Sequence, residues 1–201
     1  MNEIKLKGYI RNIRYSHEIE GVEYDKADII VPREDGKEDI LSLGFKKFSN
    51  PYQDDQEIEI KGCIRSYSKK LSDGKNKVSI YVFTYFDIPN SSEDEKDIIN
   101  SFEVDGRICK MDEIRVNQSG KQSIHFVLAN NIIGNGSHKI NNYIPCVAWG
   151  KTAIELSKLH VSDMITIRGQ LHSRTYKKKH DNGEVEIKTA HEAVVLEFEI
   201  N

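Results

Sequence analysis

Tyr143-Ile-Pro-Cys-Val-Ala-Trp149-Gly-Lys151 and, a short gap later, Ile165-Thr-Ile-Arg-Gly169-Gln-Leu-His-Ser-Arg174-Thr-Tyr176 decide how the chain reads. In the first segment Tyr143, Val147 and Trp149 share one face by the period of two, and Ile144, Cys146 and Ala148 share the other. In the second, Ile165, Ile167 and Leu171 alternate with Thr166, Arg168, Gln170 and His172, so one side is buried and the other shows polar groups to water or a ligand. Leu156 and Leu159 are spaced for one face of a helix predicted over Lys151–Leu159. Aromatic rings and cations on the polar face of one sheet make a nucleic-acid-binding surface.

The same unit occurs twice in the chain. Phe102-Glu-Val-Asp-Gly106-Arg-Ile108 repeats Ile4-Lys-Leu-Lys-Gly8-Tyr-Ile10, and Ile165-Thr-Ile-Arg-Gly169-Gln-Leu171 repeats Ile58-Glu-Ile-Lys-Gly62-Cys-Ile64. The first unit reads as strands at Ile4 toward Tyr15, Tyr24–Val31, Ile40–Phe45, Ile58–Ile64 and Val78–Phe86, with a polar turn at His17–Glu23. The second adds a hairpin turn at Asn117-Gln-Ser-Gly120, a strand Ser123–Asn130 and a last strand Val185–Phe198, whose phase changes near His191 and predicts a bulge there. Five strands with a helix between the third and fourth is the pattern of an OB-fold, a partly open barrel that binds oligonucleotides. The expected fold is mainly β, two tandem OB barrels at residues 1–89 and 100–201. Residues 90–99, polar and acidic after Pro89, read as a solvated linker.

The chain has 201 residues and a formal net charge of -3. That sum excludes a protein that coats nucleic acid by bulk positive charge, so binding must come from local patches. No apolar run reaches the roughly 20 residues of a membrane span, and the N-terminus opens Met-Asn-Glu-Ile-Lys without an apolar signal core, so a cytoplasmic location is expected. Cys63, Cys109 and Cys146 lack metal or disulfide spacing and read as small buried hydrophobes. The seven histidines show no ligand spacing. No nucleophile elbow or phosphate-binding glycine loop occurs, so neither an enzyme nor a cofactor or metal is expected, and His172 and His191 read as surface residues.

Asn100, Gly106, Ile108, Glu113, Arg115 and Gly120, then Phe126-Val-Leu-Ala, Trp149-Gly-Lys151 and Gly169-Gln-Leu-His-Ser-Arg174-Thr-Tyr176, follow in order the pattern of bacterial single-stranded-DNA-binding proteins, which residues 100–198 resemble. That family wraps single strands over OB faces by base stacking and phosphate contacts. The resemblance implies Tyr143, Trp149 and Tyr176 as stacking residues, with Arg115, Lys151 and Arg174 as neighbouring cations. It also implies roles in DNA replication, repair or recombination. Two departures stand out. Asn131-Ile-Ile-Gly134 offers no aromatic after the second strand, and no acidic tail follows Phe198-Glu-Ile-Asn201, so partner replication or repair proteins are not expected to be recruited through such a tail.

The residues support the same chemistry independently. Each base stacked on an exposed aromatic contributes roughly 1–3 kcal/mol. Lys177, Lys178 and Lys179, read as a loop after the fourth strand, add salt-dependent phosphate contacts; the plainer reading is a solvated turn. For Trp149 the other reading is core packing, and for Tyr143 an ordinary cross-strand pair beside Pro145. In the first unit Phe45 aligns with Trp149, Asp39 with Tyr143 and Lys69 with Tyr176, so its face is expected to be weaker, with Phe45, Lys46, Lys47, Tyr67, Lys69 and Lys70 as its candidates. Tyr81, Phe83 and Tyr85 form an aromatic stripe that motivates a homodimer. An RNA-binding OB protein and a primosome-type adaptor or scaffold remain as alternatives.

Overall fold

Eleven strands and a seven-residue helix follow from these patterns in the computed structural model, which describes residues 1–47, 52–70, 74, 76–88, 98–133, 139–179 and 183–201. The strands are β1 (Asn2–Ile19), β2 (Val22–Pro32), β3 (Glu38–Lys46), β4 (Glu57–Lys70), β5 (Asn76–Ile88), β6 (Asn100–Met111), β7 (Arg115–Val116), β8 (Gln122–Ile133), β9 (Lys139–Trp149), β10 (Met164–Lys179) and β11 (Val185–Ile200). The helix α1 (Gly150–Leu156) lies between β9 and β10 and ends earlier than its apolar spacing predicts. The order β2-β3-β5-β4-β1 closes through a β1–β2 pairing, and β6-β10-β11-β9-β8 closes through β6–β8, giving two OB barrels. No described helix is long and apolar enough to cross a membrane.

Closure depends on the repeated glycines. A Cβ on Gly8 would lie 2.2 Å from the Ile30 carbonyl oxygen, and one on Gly106 2.7 Å from that of Ala129. At Gly62 and Gly169 the obstacles are the carbonyls of Phe83 and Val194, at 2.3 and 1.9 Å. Each first strand therefore bends close under the second, and each fourth strand under the fifth, where only glycine fits. The β4–β5 register slips between Lys61 and Gly62, leaving Tyr85 as the extra residue, and the β10–β11 register slips at Arg168/Gly169, leaving Leu196. The bulge in the last strand is thus at Leu196 rather than near His191, whose pairing with Ser173 lies in an unbroken ladder.

Inward side chains fill each barrel, among them Leu6, Ile10, Ile29, Leu41, Ile60 and Ile64 in the first, and Ile108, Leu128, Ile144, Ile165, Ile167 and Leu171 in the second. Ala153 and Leu156 of α1 are buried in the second core. After β3 of the first barrel, Tyr52 packs edge-on against Phe45 with ring centroids 5.2 Å apart. Cys63 and Cys146 are buried as expected, but Cys109 is exposed, because its neighbours Ile108 and Val104 take the inward positions of β6. The turn expected over His17–Glu23 is tighter, with β1 continuing to Ile19 and the reversal made by Glu20 and Gly21, both at positive φ. Most of the expected linker lies outside the described residues; its last residue, Ile99, accepts the Lys7 N–H at 2.9 Å immediately before β6 begins.

The barrels meet about an internal pseudo-two-fold axis. Strands β1 and β6 pair antiparallel with Ile4 opposite Phe102, Asn2 opposite Val104 and Leu6 opposite Asn100, a register that maps onto itself when the repeats exchange. Asn2 bridges to Ile64 through its N–H and C=O (2.9 and 2.8 Å), and Asn100 does the same to Leu171 at the same two distances. Across the seam the Ser66 N–H donates to Asn142 Oδ1 (2.5 Å) and the Tyr143 N–H to Ser66 Oγ (2.8 Å). In the mirrored contact the Ser173 N–H donates to Asp39 Oδ1 (2.6 Å) and the Ile40 N–H to Ser173 Oγ (2.9 Å).

His172 and His191 are at this seam, not on free surface. His172 Nδ1 lies 3.2 Å from Asp39 Oδ2, and the His191 ring nitrogens face the carbonyls of Ile80 and Ile40 at 3.2 and 3.0 Å. Burial alone would raise the Asp39 carboxyl, but hydrogen bonds from His172 and the Ser173 N–H, with the charges of His172 and Arg33, outweigh it and hold the group below the usual carboxylate range.

Candidate nucleic-acid interface

Parallel pairing sets the register of the third strands. Phe45 pairs with Thr84 and Ala148 with Val195, while Gly62 pairs with Thr84 and Gly169 with Val195. Phe45 is therefore the counterpart of Ala148, Lys46 that of Trp149, Ile40 that of Tyr143, and Asp39 that of Asn142. The sequence alignment of the first unit is off by one residue, which with a period of two reverses the face. Phe45 is only 3% exposed and packs in the core, so it is no stacking residue. Lys69 does align with Tyr176, as expected.

In the second barrel Tyr143 and Trp149 are 40% and 39% exposed on β9, while Val147 between them, on the same face, is buried. Arg115, Ser123 and Trp149 lie in one row across β7, β8 and β9. The small Ser123 separates the guanidinium strand from the indole strand. Lys121, which sequence reasoning passed over, sets its ammonium 5.0 Å from the Trp149 ring centre; its only signal was its place just after the Gly120 turn. Lys151 is the second residue of α1, two residues beyond Trp149.

Tyr176 is half-buried on β10. Its hydroxyl accepts a hydrogen bond from Lys77 of the first barrel at 3.2 Å, and the Arg174 guanidinium lies 5.7 Å from its ring centre. Lys177, Lys178 and Lys179 are not in a loop: they extend β10 and pair with Ile187, Glu186 and Val185 of β11, because the β10–β11 hairpin runs far past the barrel. Lys177 is exposed; the side chains of Lys178 and Lys179 lie outside the described residues.

The cations are moderated by carboxylates. Arg115 pairs with Asp112 (3.2 Å), Lys151 with Glu155 (3.7 Å) and Arg174 with Glu192 (2.8 Å). Exposed pairs of this kind contribute only about 0–1 kcal/mol, so a phosphate can compete for the same cations. Rings presented to solvent, with cations beside them, suit unstacked bases and a flexible backbone more than a duplex groove.

Among the first-unit candidates, Lys46, Lys69 and Lys70 are exposed, Lys47 pairs with Glu23 at 2.6 Å, and Tyr67 is 56% exposed. Two rings of the expected aromatic stripe pack within their own barrel. Phe83 is buried beneath the Arg65 guanidinium, 3.9 Å from its ring centre, and Tyr81 lies beside Tyr67 and over Gly44; the side chain of Tyr85 is outside the described residues. A second copy of the chain is therefore not required to shield Tyr81 and Phe83 from water.

Comparison with known proteins gives the family and the fold. The model of the family described as "Single-strand binding protein family" matches residues 99–199. Two crystal structures of the single-stranded DNA binding protein from Thermus aquaticus share the fold. The wild type has a TM-score of 0.73 at 15% identity, covering 100% of this chain and 93% of that one. A deletion mutant, delta 228-252 R190A, has a TM-score of 0.72 at 15% identity and covers 100% and 94%. No curated protein sequence matches the chain.

Proposed function

The chain belongs to the single-strand binding protein family and binds single-stranded DNA, and we propose that it does so by stacking bases on Tyr143, Trp149 and Tyr176 while Arg115, Lys121, Lys151, Arg174 and Lys177 meet the phosphates. Lys178 and Lys179 join them by their place on β10. The observation that carries this reading is the exposed Trp149 indole, flanked by the Lys121 ammonium and in one row with Arg115. Stacking does not read base edges, so binding is sequence-tolerant, and the protein serves DNA replication, repair or recombination by holding single strands.

Trp149 is the single tryptophan of the chain, which makes the test direct. Titration with an oligo-thymidine strand quenches its fluorescence, and duplex DNA of equal length binds far more weakly. Equal affinity for duplex, or saturable binding of the single strand with no change in Trp149 emission, overturns the assignment.

A further inference from the structure

We propose that one of the two seam contacts is a proton-operated lock. Two histidines of the second barrel fasten the first barrel when each carries both ring protons, and release it on that side alone as the protons leave.

The lock sits at the edge of β3. Strands β3 and β5 pair only over Leu43–Phe45 and Val82–Thr84, so Ile40 on β3 and Ile80 on β5 lie beyond the end of that ladder with backbone groups to satisfy. The second barrel takes them. Ser173 Oγ accepts the Ile40 N–H at 2.9 Å. His191, opposite Ser173 in the β10–β11 pairing, sets Nε2 3.0 Å from the Ile40 carbonyl oxygen and Nδ1 3.2 Å from that of Ile80. The imidazole of one barrel thus stands as a rung between two strands of the other.

Both partners of that ring are acceptors, which decides how many protons suit it. A neutral imidazole has one N–H and turns a lone pair toward the second carbonyl, whereas the imidazolium donates to both. His172 repeats the arrangement on β10, with Nδ1 3.2 Å from the buried Asp39 Oδ2 and Nε2 3.3 Å from Gln170 Oε1. That Asp39 oxygen takes no other hydrogen bond among the described residues. The remaining titratable and charged groups around the pair are Arg33, Glu34 and Asp35 in the turn after β2, Tyr81 beside Ile80 on β5, and Arg174 on β10, which holds Glu192 of β11 at 2.8 Å.

The mirrored seam is built without such groups. By the strand pairings Ile80 stands at the place of His191, Arg65 at that of His172 and Asn142 at that of Asp39. The Tyr143 N–H still finds Ser66 Oγ at 2.8 Å, but Ile80 has no hydrogen to donate. None of those three residues changes charge between about pH 5 and pH 8, where imidazole does. Asp39 keeps its charge across that window, because its carboxyl is held below the usual range. The folded state favours the protonated rings, so the lock is closed at the acid end of the window and opens as pH rises. The Asp39 seam then slackens while the Asn142 seam stays as it is, and the barrels rock about the β1–β6 ladder that joins them.

The experiment is hydrogen exchange on the full-length chain, read amide by amide by NMR and corrected for the intrinsic pH dependence of exchange. Between about pH 5.5 and about pH 7.5 the Ile40 and Ser173 amides lose about ten-fold or more in protection, while the Tyr143 and Ser66 amides stay within about two-fold. Unchanged protection at Ile40 and Ser173 overturns the proposal. An equal fall at all four amides does so too, because it marks general loosening rather than one seam. A His172→Arg, His191→Ile variant copies the mirrored seam and shows no step in that range; a step that persists in it overturns the lock. The wild type alone supplies a further arm: at about pH 5.5 the ring-nitrogen shifts of His172 and His191 report imidazolium, and a single neutral tautomer at either ring overturns the proposal.

Discussion

Asp39 and Asn142 occupy the same position in the two barrels, and each accepts the N–H of the serine that the other barrel presents: Ser173 for Asp39 at 2.6 Å and Ser66 for Asn142 at 2.5 Å. Asparagine can do this without charge. Asp39 instead brings a carboxylate with 0% exposure, and His172 and Arg33 gather beside it. The chain is a pseudo-dimer whose two seam contacts are geometrically alike and electrostatically different.

Asp39 should make the seam acid-sensitive. Its folded pKa is lowered, so its stabilising contribution is present above the unfolded value of about 3.9 and is lost as pH falls from there through the lowered folded value. Asp39→Asn, copying Asn142, should flatten that acid limb in denaturant unfolding followed between neutral pH and pH 3. Asp39→Ala leaves the Ser173 N–H without its acceptor and should cost about 1–3 kcal/mol at neutral pH. An acid limb unchanged in Asp39→Asn would assign it to other carboxylates.

Trp149→Ala should weaken single-strand binding by roughly 1–3 kcal/mol with little change in thermal stability, because the ring is 39% exposed and a base stacked on it would lose its contact while the core would not. Isothermal titration of variant and wild type measures this. A loss of stability comparable to the loss of affinity would return Trp149 to a packing role.

Lys177→Ala should act through charge alone. Removing one phosphate contact to a single strand should reduce the slope of log affinity against log salt by about 0.7. Anisotropy at several salt concentrations reads it, and an unchanged slope takes Lys177 out of the interface.

Gly169→Ala should destabilise strongly, because the new Cβ would stand 1.9 Å from the Val194 carbonyl oxygen and β10 and β11 would have to separate at their bulge. Overpacking typically costs about 1–3 kcal/mol, and here the obstacle is backbone that cannot rotate away. Thermal denaturation should show a lower midpoint for Gly169→Ala and for its counterpart Gly62→Ala, but not for Gly183→Ala in the open hairpin turn beyond what its positive φ costs. Equal effects at all three would mean that the close approach is not what selects glycine.

Several features were legible in the residues themselves. Alternation with a period of two along Ile4–Ile10, Ile58–Ile64, Phe102–Ile108 and Ile165–Leu171 states which side of each strand is buried, and the repeated Gly8/Gly106 and Gly62/Gly169 mark equivalent bends, so two like barrels could be read without any contact being known. The exposure of Tyr143 and Trp149 was legible for the same reason, since their neighbours Ile144 and Ala148 claim the core side. What the chain could not state locally was register between strands far apart in sequence. Whether Phe45 or Lys46 answers to Trp149 depends on how β3 lies against β5, and that on the bulge at Tyr85; one residue of slip exchanges core for surface. The seam is of the same kind: His172, His191, Asp39 and Ser66 look like ordinary polar strand residues until two barrels pair through β1 and β6 and bring their carbonyls and hydroxyls together. Side-chain alternation is a property of one strand and survives in sequence, whereas pairing is a property of two strands and is decided only when the barrels close.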